Sequence, residues 1–167
     1  MKKSKINKSK KLYLLVAIIV IAIILIDQLT KNIILNTEDI TIIPNILKLH
    51  VYQAHGGIYD ETSKAMNILT NLIILFIIFG FIKSNNQFIT KKTKILLSFA
   101  LAGGISNIID KIFRGEIVEF INFTNFPSFN IADICIAIGW ISFVAIFAAF
   151  SGKELTNRRS KNNSEHS

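Results

Sequence analysis

The stretch FPSFNIADICIAIGWISFVAIFAAF, residues 126–150, decides the fold of this chain. From residue 131 onward it is almost uninterrupted in apolar side chains, and about 20 such residues in a helix cross a hydrocarbon core about 30 Å thick. Its start nevertheless carries a carboxylate, Asp133, with Asn130 one helical turn earlier. Ionisable groups in membrane helices cost free energy and normally face the bundle interior, where they mark functional sites.

The rest of the chain repeats this pattern. Its 167 residues are 51% hydrophobic, and the apolar residues are gathered in four runs, at residues 12–35, 66–82, 95–113 and 131–150. Soluble domains are less apolar and do not group their apolar residues in this way. The sequence therefore predicts an all-α membrane protein with four transmembrane helices. The membrane domain covers residues 12–150, with outer loops at 36–65 and 114–130 and basic cytoplasmic tails at 1–11 and 151–167.

The placement of the charges sets the predicted orientation. The net charge is +8, and the basic residues concentrate before the first apolar run, between the second and third, and after the fourth. This alternation follows the positive-inside rule and places both termini in the cytoplasm. It favours anionic membrane lipids as the partner of the basic residues and argues against nucleic acid. A cleaved signal peptide is disfavoured because the first run continues to Leu35 without a small-residue exit.

Three carboxylates on different predicted helices reach a similar depth. At 1.5 Å per helical residue, Asp27 lies about 24 Å from Lys11, and Asp110 lies about 24 Å from Lys94. By the same rise, Asp133 lies about 30 Å from Lys153. We therefore predict a polar cluster near the outer interface of the bundle.

Helical spacing adds partners to these acids. Asp27 and Lys31 are four residues apart, as are Asp110 and Arg114, and each pair can form an ion pair. Asn107 and Lys111 fall on the same broad face as Asp110. For the basic residues alone, snorkelling to water is the simpler explanation. For three acids at one depth we favour a functional site.

The first outer loop carries a strand pattern. The sequence ILKLHVYQA alternates apolar and polar residues from Leu47 to Tyr52, which predicts a strand, and HGG at 55–57 predicts a turn. We expect a small extracytoplasmic β-sheet beside the polar cluster. His50 and His55 lack a partner at metal-ligand spacing, so we expect no zinc site.

The chemistry open to such a cluster is that of carboxylates. No serine–histidine, cysteine–histidine or metal signature converges on it, and the single cysteine, Cys135, excludes an internal disulfide. When two carboxyl groups are held close together, one retains its proton. The ionised member can then activate water while the other donates a proton, which is the chemistry of aspartyl proteases.

Four motifs resemble those of lipoprotein signal peptidase, or signal peptidase II, in order, spacing and place: DQLTK at 27–31, GGISNIID at 103–110, VEF at 118–120 and FNIAD at 129–133. The resemblance covers roughly residues 12–150. It implies a bacterial, multi-pass enzyme of the cytoplasmic (inner) membrane that cuts the signal peptide from diacylglyceryl-modified prolipoproteins. It also implies that no metal or cofactor takes part and that the antibiotic globomycin inhibits. We expect a monomer.

The resemblance also implies which residues act. Asp133 and Glu119 stand at the two catalytic positions. The supporting and substrate-binding positions fall on Asp27, Lys31, Asn107, Asp110, Lys111, Asn130 and Gly56. Several residues depart from the family pattern: Glu119 replaces an aspartate, Ala54 an asparagine, Ser106 a glycine and Lys111 an arginine.

These departures leave an alternative open. Glutamate keeps the acid but adds a methylene, and a misplacement of about 1 Å can cost on the order of a hundredfold in rate. The chain is therefore expected either to be a working peptidase or to be a weak or inactive relative that binds lipoprotein precursors. A third hypothesis, a proton- or ion-conducting protein, is disfavoured because the acids gather at one depth instead of crossing the membrane as a ladder.

Overall fold

The computed structural model describes residues 2–52, 61–84 and 89–165. In chain order these residues form α1 (Lys2–Leu35), β1 (Ile40–Ile43), β2 (Leu47–Tyr52), α2 (Glu61–Lys83), α3 (Lys91–Phe113), β3 (Glu119–Phe123) and α4 (Ile131–Glu165). The protein is therefore mostly helical with one small antiparallel sheet, as predicted.

Among the described residues, three helices are long and apolar enough to cross a membrane: Ser9–Leu35 in α1, Lys91–Phe113 in α3 and Ile131–Lys153 in α4. The apolar part of α2, Ile68–Lys83, is shorter. Helix α1 begins at Lys2 and α4 continues to Glu165, so the basic segments at both ends of the chain are largely helical. Neither segment contains proline, and extending an existing helix costs little compared with starting one.

Helix α3 is the central helix and packs against α1, α2 and α4. About half of its apolar span is buried, a much larger share than in α1 or α4. The other helices turn large apolar side chains outward; Phe76 on α2 and Ile141 on α4 are at least 70% exposed. Such an apolar exterior suits a lipid environment, because in water it would favour aggregation.

Two glycines let α3 and α4 approach closely. A Cβ atom on Gly103 would lie 2.3 Å from the Ala132 carbonyl oxygen, and one on Gly139 would lie 2.6 Å from the Ala100 Cβ. No real side chain fits these spaces, so the absence of a Cβ sets the distance between the helices. Small residues at helix contacts serve the same purpose throughout membrane proteins.

The sheet has the strand order β1-β2-β3, and both pairs are antiparallel. The predicted strand over 47–52 is confirmed as β2, with Leu49 opposite Ile40 on one side and Ile121 on the other. The sheet is not confined to the first outer loop, because β3 comes from the segment after α3. The β2–β3 pairing is irregular between Leu49 and Tyr52, and beyond this irregularity Tyr52 pairs with Glu119. Glu119 is the first residue of β3.

Candidate active site

A buried lysine joins two helices through their carboxylates. Lys31 Nζ on α1 lies 2.6 Å from Asp27 Oδ2 and 2.6 Å from Asp110 Oδ2 on α3. It also donates to Asn107 Oδ1 at 3.0 Å. The side chains of Asp27, Lys31 and Asp110 are all 0% exposed. The predicted Asp27–Lys31 ion pair is confirmed, and it extends across to α3.

A second cation balances this group. Arg114 Nη1 pairs with Asp110 Oδ1, as the four-residue spacing predicts, and also donates to Gln28 Oε1 at 2.7 Å. Gln28 Nε2 in turn donates to Asp110 Oδ1 at 2.9 Å. Asp27, Lys31, Asp110 and Arg114 therefore form a charge cluster with two negative and two positive charges. A buried cluster needs this neutrality and these hydrogen bonds, since desolvated charges are otherwise costly.

Asp27 extends the cluster to the fourth helix. Its Oδ1 accepts the backbone N–H of Ala132 at 2.9 Å, and its Oδ2 accepts the Ser106 hydroxyl at 2.7 Å. The Ala132 N–H belongs to the first turn of α4, where backbone donors lack partners within the helix. One carboxylate thus links α1, α3 and the start of α4.

Asp133 is held at the start of α4 by two amides. Asn130 Oδ1 accepts the Asp133 N–H at 2.9 Å, and Asp133 Oδ2 accepts the Asn130 N–H at 3.0 Å, an arrangement equivalent to a capping box. Asn107 Nδ2 donates to Asp133 Oδ1 at 2.8 Å. Both oxygens of this half-buried carboxylate therefore accept hydrogen bonds, and the N-terminal end of the helix dipole also favours their negative charge.

The backbone around Glu119 is tied to the residues just before Asp133. Asn130 Nδ2 donates to the Val118 carbonyl at 3.1 Å, and the Phe120 N–H donates to the Phe129 carbonyl at 3.1 Å. These bonds flank Glu119 on both sides. In addition, the Val118 N–H donates to Asp110 Oδ2 at 3.3 Å, which connects the same segment to the charge cluster.

The charge of Asp133 affects the pKa of Glu119. Partial burial raises the pKa of Glu119 above the usual range of a glutamate, and the negative charge of Asp133 raises it further. The positive charge of Lys31 acts in the opposite direction but is the smallest of the three effects. Glu119 is half-buried, so its carboxyl remains within reach of water.

Most of the predicted site residues come together here. Asp27, Lys31, Asn107, Asp110 and Asn130 share one hydrogen-bonded network, to which Asp133 belongs through Asn107. The bonds described above do not involve Lys111, which is half-buried on α3. Gly56, with Ala54 and His55, lies outside the described residues.

Ser106 and Gln28 belong to the network although neither was predicted as a site residue. Ser106 appeared only as a departure from the family pattern, although its hydroxyl bonds to Asp27. Gln28 follows Asp27 directly, so it occupies a different face of an isolated helix; no periodicity indicates that its amide reaches Asp110. Within the described ranges, no group of three His, Cys, Asp or Glu side chains is arranged to hold a metal ion.

Comparison with known protein families and sequences gives a consistent result. The family model for signal peptidase (SPase) II matches residues 19–149. The lipoprotein signal peptidase of Staphylococcus haemolyticus (strain JCSC1435) is 35% identical over 150 residues, which cover 82% of this chain and 92% of the relative. That of Staphylococcus aureus (strain JH9) is 31% identical over 156 residues, covering 86% and 91%.

Two solved structures share the fold. One, described as "Bacterial membrane enzyme structure by the in meso method at 1.9 A resolution", superposes with a TM-score of 0.70 at 28% identity, covering 79% of this chain and 91% of the other. The second, described in the same words but at 2.3 A resolution, gives a TM-score of 0.65 at 27% identity, covering 85% and 90%.

Proposed function

Because the chain belongs to the signal peptidase II family, we propose that it removes signal peptides from diacylglyceryl-modified prolipoproteins by activating water between Asp133 and Glu119. The observation that carries the proposal is the backbone around Glu119, which is hydrogen-bonded to Phe129 and Asn130, directly before Asp133. This arrangement supports an approach of the two carboxylates from different elements, one on a strand and one at a helix start.

We propose a role for each carboxylate. Asp133 accepts hydrogen bonds from Asn107 and from the Asn130 backbone, and we propose that it takes the proton from water. The raised pKa of Glu119 favours its protonated form. In the proposed step, the water oxygen attacks the scissile carbonyl carbon as its proton passes to Asp133. Glu119 protonates the carbonyl oxygen, which gives a diol. The C–N bond then breaks as Asp133 passes the proton it took from water to the leaving nitrogen, and a diol hydroxyl returns a proton to Glu119 as the carboxylic acid forms.

The buried charge cluster is proposed to position this pair without touching substrate. Lys31 and Asn130 both donate to Asn107 Oδ1, at 3.0 and 3.1 Å, which fixes the orientation of the Asn107 amide. With its oxygen occupied in this way, the Asn107 NH₂ group is turned to Asp133. A positioned amide of this kind keeps the reacting oxygen within the tolerance that catalysis requires.

The proposed membrane topology has four spans. Helix α2 has 23 residues, which at 1.5 Å per residue extend about 34 Å, and it packs beside α3. We place the basic termini and the α2–α3 connection in the cytoplasm, with the sheet and Asp133 at the opposite face. The active site would then meet the lipid-modified cysteine near the membrane surface, where acyl chains contribute roughly 0.8 kcal/mol per buried methylene to binding.

A second candidate function rests on Glu119 itself. If the added methylene misplaces the acid, the protein would bind acylated precursors and turn them over slowly or not at all. The two functions share a binding site and differ only in hydrolysis. They are therefore separated by measuring precursor binding and cleavage on the same preparation.

The test is a gel-shift cleavage assay on a diacylglyceryl prolipoprotein, with and without globomycin. Asp133→Asn is expected to abolish cleavage while the fold survives, because asparagine can still accept the capping hydrogen bond from the Asn130 N–H. Glu119→Gln should also abolish cleavage, whereas Glu116→Gln, a nearby acid outside the pair, should not. Wild-type turnover by Asp133→Asn would contradict the mechanism.

The variant Glu119→Asp separates the two candidate functions. In an enzyme adjusted to glutamate, withdrawal of the carboxyl by about one methylene should lower the rate, on the order of a hundredfold. In a drifted relative, the same change should raise cleavage from a low wild-type level. Precursor binding without cleavage by the wild type, together with gain of activity in Glu119→Asp, would establish the second function.

A further inference from the structure

We propose that Tyr13, Lys83 and Lys94 form a binding site for the phosphate of an anionic phospholipid headgroup. Lys83 Nζ lies 4.8 Å from the centroid of the Tyr13 ring, and Lys94 Nζ lies 5.3 Å from the same centroid. We call these three residues the cationic cluster. Along α3, Lys94 is about 24 Å from Asp110, so the cluster is at the other end of the helix from the proposed active site.

The proposal of an anionic ligand depends mainly on Lys94. Its side chain is only 6% exposed, and its ammonium donates to the Tyr13 hydroxyl at 3.3 Å. A lysine ammonium has three donors, and a buried lysine is normally paired with a carboxylate. Within the part of the chain that the structure describes, Lys94 forms no ion pair, unlike the fully buried Lys31, which has two.

The sequence supplies no acid to this end of the bundle from three of its helices. Residues 1–26 and 62–109, which contribute Tyr13, Lys83 and Lys94, contain no aspartate or glutamate. Beyond the span of α4, two acids, Glu154 and Glu165, are outnumbered by four basic residues: Lys153, Arg158, Arg159 and Lys161. A neutralising negative charge for Lys94 is therefore best supplied by a ligand.

The start of α3 strengthens the preference for an anion. Its first turn contains no acid and begins with Lys91 and Lys92, although the N-terminal end of a helix dipole is positive and repels lysine. Backbone N–H groups at a helix start are a common binding position for phosphate, and the Thr90 capping box occupies two of them, those of Thr90 and Thr93.

The apolar surroundings indicate that the phosphate belongs to a lipid. The Tyr13 ring packs against the buried core of Val16, Ile78, Ile82, Leu97 and Ala100. Lys83 Nζ also lies 5.6 Å from the Phe79 ring, and that ring is 47% exposed on the outside of α2. A ligand with a phosphate over the lysines and acyl chains along α2 would contact both surfaces. Basic residues at a membrane boundary attract anionic lipids in the same way.

The test measures the thermal unfolding midpoint of the full-length protein in dodecyl maltoside. Three additives are titrated: short-chain phosphatidylglycerol, phosphatidylcholine of the same chain length, and inorganic phosphate. Phosphatidylglycerol is expected to raise the midpoint of the wild type. Lys83→Gln and Lys94→Gln should each weaken this effect about fivefold in half-maximal concentration, because each basic residue makes a contribution of that order. Lys153→Gln, an exposed basic residue outside the cluster, should respond like the wild type.

The remaining outcomes decide against the proposal. Equal stabilisation by phosphatidylcholine, or an unchanged response of both cluster variants to phosphatidylglycerol, would overturn it. Inorganic phosphate acting at the same concentration as phosphatidylglycerol would overturn the lipid assignment and leave a site for free phosphate. If Lys94→Gln does not fold, Lys83→Gln decides the result, because Lys83 is exposed. Asp133→Asn should respond like the wild type, which separates this site from catalysis.

Discussion

Replacing Lys31 with methionine removes the cation that lies between two buried carboxylates. Lys31 Nζ is 2.6 Å from both Asp27 Oδ2 and Asp110 Oδ2, and all three side chains are fully buried. With Arg114 included, the cluster is neutral, and Lys31→Met leaves it with a net charge of −1. Methionine matches the unbranched shape of lysine, so the effect isolates the loss of charge and hydrogen bonds.

The expected cost is large. Removing one partner of a buried ion pair destabilises a protein by about 3–5 kcal/mol, because the remaining charge is left without compensation. Because Lys31 contacts two carboxylates and the Asn107 oxygen, we expect Lys31→Met to lower the free energy of unfolding by about 5 kcal/mol. The assay is equilibrium unfolding in mixed micelles of dodecyl maltoside and SDS, followed by circular dichroism. Lys48→Met, at an exposed position of β2, should stay within about 0.5 kcal/mol of the wild type.

A double variant tests the electrostatic explanation directly. Lys31→Met combined with Asp27→Asn restores neutrality, because Asp110 and Arg114 remain as an ion pair. Asparagine keeps an oxygen that can accept the Ala132 N–H. The double variant should therefore be more stable than Lys31→Met alone, with a coupling energy of at least about 2 kcal/mol. Stability losses that simply add would refute the argument from buried charge.

Two further predictions concern the reaction and the packing. Partial burial and the charge of Asp133 raise the pKa of Glu119, which in the proposed reaction acts in its protonated form. Cleavage should therefore decline as pH rises through that pKa, and a rate profile flat into alkaline pH would contradict this. Gly139→Ala should destabilise the protein by about 1–3 kcal/mol, since the new Cβ would lie 2.6 Å from the Ala100 Cβ. Gly80→Ala is the matched control, because nothing lies within 4 Å of its added Cβ; equal losses in the two unfolding curves would refute the packing argument.

The features predicted from the sequence are those determined within a single helix or strand. Helical spacing alone predicts the Asp27–Lys31 and Asp110–Arg114 pairs, because residues four apart share a helix face. Alternation predicts strand β2 in the same way. The helical rise also predicts similar depths for Asp27, Asp110 and Asp133, and this prediction requires no knowledge of the contacts between helices. The roles of these residues in catalysis remain predictions.

The features that were missed are relations between elements. Strand β3 has only five residues, and its hydrogen bonds to β2 and to Phe129 join segments far apart in the chain or across a turn. Lys31 was expected to pair within its own helix, yet it contacts Asp110 equally closely. Nothing in the helical period specifies which face of α1 meets α3, so the full network follows only from the packing.

The raised pKa of Glu119 arises from its immediate surroundings, burial first and the charge of Asp133 second. Lys31, a member of the buried charge cluster, lowers the pKa of Glu119 less than burial and Asp133 raise it. Asp133 itself accepts hydrogen bonds from two amides at the start of α4. The cluster therefore acts by holding three helices and Asn107 in place. The proposed division of roles, with Glu119 as the acid and Asp133 as the base, rests on the placement of one carboxyl on a strand and the other at a helix start.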